Sequence, residues 1–157
     1  MKIETGYIYH IKDEFFDNIK DGGLMINHEN GKSRPTYFTI SDKDILWFIP
    51  LSSKVDKYQK IINQKVKKYG ECKSIIIGDI AGKKSVILIQ NAFPTLPKYI
   101  DHVHTKNGAV VKVADNLKEE ILINFGNLLA MKSQGINLFF ADIDKIKEIM
   151  LEELKDN

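Results

Sequence analysis

Arg34-Pro35 and Pro50-Leu51-Ser52-Ser53-Lys54 are the residues of this chain best suited to chemistry on a phosphate. They flank two runs rich in aromatic and β-branched residues, Thr36 to Ile40 and Ile45 to Ile49, with Ser41-Asp42-Lys43-Asp44 between them. That pattern predicts an antiparallel hairpin, and antiparallel pairing places the start of the first strand beside the end of the second. Arg34 is therefore expected near Ser52, Ser53 and Lys54. A guanidinium, two hydroxyls and an ammonium so grouped can hold a phosphate through bidentate and charge-assisted hydrogen bonds and can stabilise the added negative charge of a phosphorane transition state. A structural reading is also open, in which Ser52 or Ser53 caps a helix that begins near Lys54. The two are compatible, because the free N–H groups of a helix N-terminus themselves attract anions.

Proton transfer near neutral pH calls for histidine. Of the four in the chain, His10 on the first expected strand is the leading candidate and His28, in a polar loop, the next. A histidine among strand tyrosines serves equally well as a packed, hydrogen-bonded residue. His102 and His104 form a His-x-His pair that could face one ligand, but no Asp/Glu or Cys cluster accompanies it, so no metal site is expected. Gly78-Asp79-Ile80-Ala81-Gly82-Lys83-Lys84 has the look of a phosphate loop with one residue too few between its glycines and no Ser/Thr to bind magnesium. A hairpin turn accounts for it. No cofactor is expected.

The elements that must position these groups follow from periodicity. Gly6 to Ile11 reads as a first strand, followed by a short helix capped by Asp13 and carrying Phe15, Phe16 and Ile19. Leu24 to Arg34 reads as an exposed, mobile loop. From Val55 to Tyr69, Val55, Tyr58, Ile62, Val66 and Tyr69 recur at three- and four-residue spacing and line one face of an amphipathic helix, with Lys57, Lys60 and Lys68 opposite. Tyr58 and Tyr69 are expected in the core, as are Trp47, Tyr37 and Tyr99. A second hairpin, Ser74 to Ile80 and Ser85 to Gln90, precedes an irregular crossing at Pro94 and Pro97. Asn107-Gly108 marks a turn before a strand from Ala109 to Val113. Two helices close the chain, one from about Asn116 to Met131 with Gly135 as its stop, the other capped by Asp142 and carrying Ile143, Ile146, Ile149 and Met150. Strands joined through tight turns imply an α+β fold in which a compact, strongly curved antiparallel sheet forms a half-open barrel with peripheral helices.

Composition narrows the class further. A chain of 157 residues, 43% hydrophobic and 28% charged, suits one globular domain over 1–157 and contains no apolar run near membrane-spanning length. Met1-Lys2-Ile3-Glu4-Thr5 opens a strand-like pattern without the features of a secretory leader, so a cytoplasmic location is expected. Cys72 is the only cysteine, which excludes an internal disulfide and fits a reducing compartment. Net charge is only +2, but Lys54, Lys57, Lys60, Lys65, Lys67, Lys68 and Lys73 crowd together while Glu148, Glu152, Glu153 and Asp156 collect at the C-terminus. The molecule is expected to be electrically lopsided.

Beyond what spacing gives, the order of Gly6-Tyr7-Ile8-Tyr9-His10-Ile11-Lys12, Arg34-Pro35, Pro50-Leu51-Ser52-Ser53-Lys54-Val55 and Gln90-Asn91-Ala92-Phe93-Pro94 resembles the ToxN/AbiQ/CptN toxins of type III toxin-antitoxin systems, nearest to the CptN branch. The resemblance runs from about Gly6 through the last helix. It implies the half-open, SH3-like barrel of the Kid, PemK and MazF toxins. It also implies a metal-independent endoribonuclease that cuts a repetitive precursor and is held inactive by the resulting small structured RNA, in a closed protein–RNA assembly. Ser52 and Ser53 match the family's active-site hydroxyl pair, Arg34 its strand-starting basic residue, and Lys54 or Lys57 its lysine. Attack of the ribose 2′-hydroxyl on the adjacent phosphorus would give a 2′,3′-cyclic phosphate and a 5′-hydroxyl, and DNA would be spared. Under this reading Lys32, Lys57, Lys60, Lys65, Lys68, Lys83 and Lys84 are candidate RNA contacts, and cellular or phage RNA is the substrate.

Two other classes compete. One is a non-catalytic RNA-binding module, which has no need of hydroxyls clustered with a guanidinium. The other is a protein-targeting toxin of the same fold, as CcdB-type gyrase poisons are, which would need a hydrophobic C-terminal feature where this chain has Lys155-Asp156-Asn157.

Overall fold

The computed structural model describes residues 2–156. Met1, at the head of the strand-like opening, and Asn157, at the polar end, lie outside the described residues. In chain order the elements are β1 (Ile8–Ile11), α1 (Asp13–Asn18), β2 (His28–Glu29), β3 (Lys32–Ser33), β4 (Pro35–Asp42), β5 (Ile45–Ser52), α2 (Val55–Tyr69), β6 (Ile76–Ile80) and β7 (Lys83–Ile87). They continue with β8 (Phe93–Thr95), β9 (Ile100–Val103), β10 (Thr105–Lys106), β11 (Ala109–Val110), α3 (Asp115–Ser133) and α4 (Ile143–Lys155).

The architecture is α+β, with an antiparallel main sheet ordered β6-β7-β5-β4-β1-β9 and β8 added to β5. β5 is buried along its whole length and is the hub, paired with β4 on one side and, in succession, with β8 and β7 on the other. Because those two partners take different stretches of one strand, the sheet divides there. It remains open: among the described residues its two ends, β6 and β9, do not pair, so no closed barrel forms. The expected α+β, antiparallel architecture is present as an open sheet with four helices.

The hairpin register fulfils its sequence pattern. Thr36 faces Pro50 and Tyr37 faces Ile49, a register that directs Arg34 toward the end of β5. The core gathers Tyr9, Phe48, Phe93 and Trp47 from the sheet with Phe125 of α3 and Met150 of α4, all nearly inaccessible to solvent. Trp47 and Phe125 meet at 5.7 Å between centroids. Burial of each such side chain stabilises the fold by about 1.5–3 kcal/mol. Asp142 caps α4 as expected, its carboxylate accepting from the Lys145 amide at 3.2 Å. No helix of the described residues is long and apolar enough to cross a membrane.

Three expectations need correction. The segment 24–34 is not a featureless loop, since β2 and β3 form a hairpin whose tip, Asn30-Gly31, has positive φ at both residues (55° and 78°). That is the conformation Asn-Gly turns favour. Asp13 does not cap α1; its carboxylate instead accepts from Asn27 Nδ2 (2.9 Å) and pairs with His28 Nε2 (2.6 Å), tying the hairpin's base to the start of α1. Finally, Val66 and Tyr69 are exposed, although they share the apolar face of α2 with buried Tyr58. A 15-residue helix is about 22 Å long, and here its C-terminal turns outrun the small cluster of Ile75, Val86 and Leu88 on which Tyr58 packs.

Candidate active site

Arg34, just ahead of β4, is braced on three sides. Its Nε donates to the Ile26 carbonyl at 3.0 Å, its Nη1 to the Leu51 carbonyl at 3.0 Å, and its Nη2 to Glu29 Oε2 at 2.9 Å. The guanidinium therefore joins the loop before β2, the β2–β3 hairpin and the end of β5. Glu29 offers its other oxygen to Lys54 Nζ at 3.2 Å. Hydrogen bonding from Lys54, then from Arg34, holds the Glu29 carboxyl below the usual carboxylate range. A carboxylate thus occupies the point between two cations where the sequence placed a phosphate.

The serine pair divides at the strand end, where successive side chains take opposite faces. Ser52 is buried and accepts from the Lys54 amide at 3.2 Å, which orders the turn into α2. It lines a small depression with Lys54, Lys57 and Tyr58. Ser53 is exposed and opens on a separate cleft of ≈ 640 Å³. The twin hydroxyls do not face one cleft, whereas Arg34 borders both.

The floor of the larger cleft is built by histidines. His10 of β1 lies directly across from His102 of β9, and their rings stack at 4.3 Å and 11°. His10 Nε2 is 2.8 Å from His104 Nδ1, and His10 Nδ1 is 2.7 Å from Ser33 Oγ. Burial, followed by repulsion from His102 and His104, pushes His10 down to about 4, and His104 is lowered by the same two causes, burial and His102. Both imidazoles are thereby neutral at physiological pH. The 2.8 Å contact is a hydrogen bond with one proton between the rings; it does not leave two lone pairs free to converge on a metal.

The candidate lysines disperse. Lys32 and Lys83 line the histidine cleft, while Lys54 and Lys57 border the neighbouring depression. Lys60 and Lys68 are exposed on α2 and Lys84 on β7. Lys65 turns inward, where its ammonium donates to Ser74 Oγ at 3.2 Å and to Gln90 Oε1 at 3.5 Å. Gln90 and Asn91 are buried, and the Asn91 amide donates to the Gly23 carbonyl. His28 is exposed on its bond to Asp13 and lines neither the floor nor the walls of the histidine cleft.

His104, Ser33 and Glu29 escaped the sequence reading as site residues. For Glu29 and Ser33 the signal was the Asn30-Gly31 dipeptide, which predicts a hairpin that folds its flanks together. For His104 it was the His-x-His spacing, obscured because β9 is a short strand with Asp101 and His102 in its middle and no apolar alternation.

No family model matches the chain, and no curated protein does. Among solved structures, the chain is similar to AbiQ, described as a lactococcal anti-phage endoribonuclease belonging to the type III toxin-antitoxin system, with a TM-score of 0.75 and 12% identity over 97% of this chain and 99% of that one. At that identity the likeness establishes a shared fold over almost the whole length of both chains.

Proposed function

We propose that this protein is a metal-independent endoribonuclease toxin of a type III toxin-antitoxin system, acting in the cytoplasm on cellular or phage RNA. The observation that carries the reading is the convergence of Ser53, Arg34, Lys32, Lys83 and His10 on one open cleft from four separate chain segments. Its fold, shared with an endoribonuclease of such a system, supports the same class.

Lys32 and Lys83 attract the backbone of single-stranded RNA, and Lys54, released from Glu29, receives the scissile phosphate with Arg34 holding the strand end in place. Ser53 hydrogen-bonds the phosphate oxygen as negative charge builds on phosphorus. Ser52 orders the turn that presents Ser53 and Lys54. The ribose 2′-hydroxyl attacks, leaving a 2′,3′-cyclic phosphate and a 5′-hydroxyl. The exposed α2 lysines Lys57, Lys60 and Lys68, with Lys84, extend a basic surface toward a structured RNA cut from tandem repeats, which inhibits the enzyme in a closed protein–RNA assembly.

Incubation of the purified protein with a mixed-sequence RNA in EDTA, and with its 2′-deoxy counterpart, tests the proposal. Cleavage of the ribose strand alone is expected. Intact RNA would leave the non-catalytic binding module, and cleavage of the 2′-deoxy strand would exclude the cyclic-phosphate route.

A further inference from the structure

The 2′-hydroxyl route requires a group that removes a proton from O2′ and a source of one for the departing O5′. Ser53, Lys54 and Arg34 supply no base near neutral pH, since a hydroxyl, an ammonium and a guanidinium hold their protons there. The histidine floor has the required connectivity. Ser33 Oγ, His10 and His104 form an unbroken hydrogen-bonded chain with links of 2.7 and 2.8 Å, and all three residues line the cleft. The chain starts and ends on the same cavity.

We propose that Ser33, His10 and His104 are a proton relay for RNA cleavage, with His104 as the catalytic residue that takes the 2′-hydroxyl proton on Nε2 and His10 and Ser33 as positioning residues that pass an equivalent proton out again. The inference rests on the endoribonuclease reading. In the starting tautomer Ser33 Oγ accepts from His10 Nδ1–H, and His10 Nε2 accepts from His104 Nδ1–H. His104 Nε2 is then a lone pair, a base. As O2′ bonds to phosphorus, its proton binds His104 Nε2, the His104 Nδ1 proton moves to His10 Nε2, and the His10 Nδ1 proton moves to Ser33 Oγ. The Ser33 hydroxyl proton passes through cleft water to O5′ as the P–O5′ bond breaks. One proton enters, one leaves, and no ring carries a lasting charge.

Three features favour relay over storage of a charged imidazolium. His10, only 7% exposed, is poorly placed to carry charge, and both His10 and His104 resist protonation. His102, stacked on His10 at 4.3 Å and 11°, holds the ring that makes both links. The charged groups around the chain are mixed, Asp101 and Glu29 against Lys32 and Lys83, so a neutral relay is not forced to one side.

Two measurements test this. Ring-nitrogen NMR on the unliganded protein at pH 7 should find His10 and His104 neutral, and Ser33→Ala should shift the tautomer balance of His104, two bonds away along the chain. An unmoved His104, or a protonated His10, overturns the relay whatever the activity. On RNA, His104→Ala should lower kcat by ~10²–10⁴-fold, with partial rescue by free imidazole. Ser33→Ala should lower kcat by about 10-fold or more at unchanged KM, because it leaves the relay in the wrong tautomer, and Ser33→Thr should restore it. Wild-type rates in either alanine variant, or no rescue by threonine, overturn it. A wild-type protein that cuts no RNA while showing the expected nitrogen signals overturns the nuclease reading and leaves the hydrogen-bonded chain standing.

Discussion

Glu29 Oε2 lies 2.9 Å from Arg34 Nη2, closing an ion pair between the β2–β3 hairpin and the residue that leads into β4. With the contact to Lys54 at 3.2 Å, this carboxylate neutralises the cations best placed for a scissile phosphate. An RNA phosphate competes with Glu29 for the same donors.

Glu29→Gln should therefore tighten RNA binding. In a Ser53→Ala background that prevents turnover, the slope of log K against log salt should steepen by about 0.7 for the one cation released. Fluorescence anisotropy across a salt series reads this, and identical slopes would show that Glu29 does not compete with phosphate.

Arg34 is a brace as well as a cation. Arg34→Ala leaves the part-buried Leu51 carbonyl without its donor and should cost about 1 kcal/mol of stability. Arg34→Lys should recover only part of it, because an ammonium cannot reproduce the planar fork. Thermal denaturation of both variants checks the expectation, and activity assays on either must be run below the lowered midpoint.

The two serines should separate cleanly. Ser53→Ala should abolish RNA cutting with stability within roughly 0.5 kcal/mol of the parent, as for an exposed residue. Ser52→Ala should cost about 1 kcal/mol through loss of the bond from the Lys54 amide. Equal losses of activity and stability in both would contradict their placement on different faces.

Among the helix lysines, Lys57→Gln and Lys60→Gln should each flatten the salt slope of RNA binding by about 0.7 without loss of fold. Lys65→Gln should instead lower stability, since Lys65 ties α2 to Ser74 and Gln90. A Lys65 variant that changes only the salt slope would show that this inward contact does not persist in solution.

Acidification should unfold the protein through His10. Unfolded His10 gains its proton near 6.5, whereas the folded ring, faced by His102 and His104 and only partly offset by Asp101, does so at about 4. Between those values the unfolded chain binds more protons, so stability present above pH 6.5 is lost as pH falls toward 4. His10→Asn should reduce that slope and leave the part that His104, also held low by burial, contributes; chemical denaturation at pH 7, 5.5 and 4.5 showing an unchanged slope would mean that His10 is not responsible.

The amino-acid sequence already encodes the elements whose signals are local. The β4–β5 register, the α2 helix, the Asp142 cap and the burial of Trp47, Tyr37 and Tyr99 follow from alternation, helical spacing and capping chemistry, which act within a few residues. It also brought Arg34 to the end of β5, because antiparallel pairing fixes that neighbour. What those groups touch follows from the packing of the whole chain. The Glu29 carboxylate between Arg34 and Lys54, the division of Ser52 from Ser53, and the joining of His10 to His104 across 94 positions depend on how separate segments pack. A side chain's charge and hydrogen-bonding capacity are written in its residue type, but the partner that satisfies them is set by burial and sheet order, which no local pattern encodes.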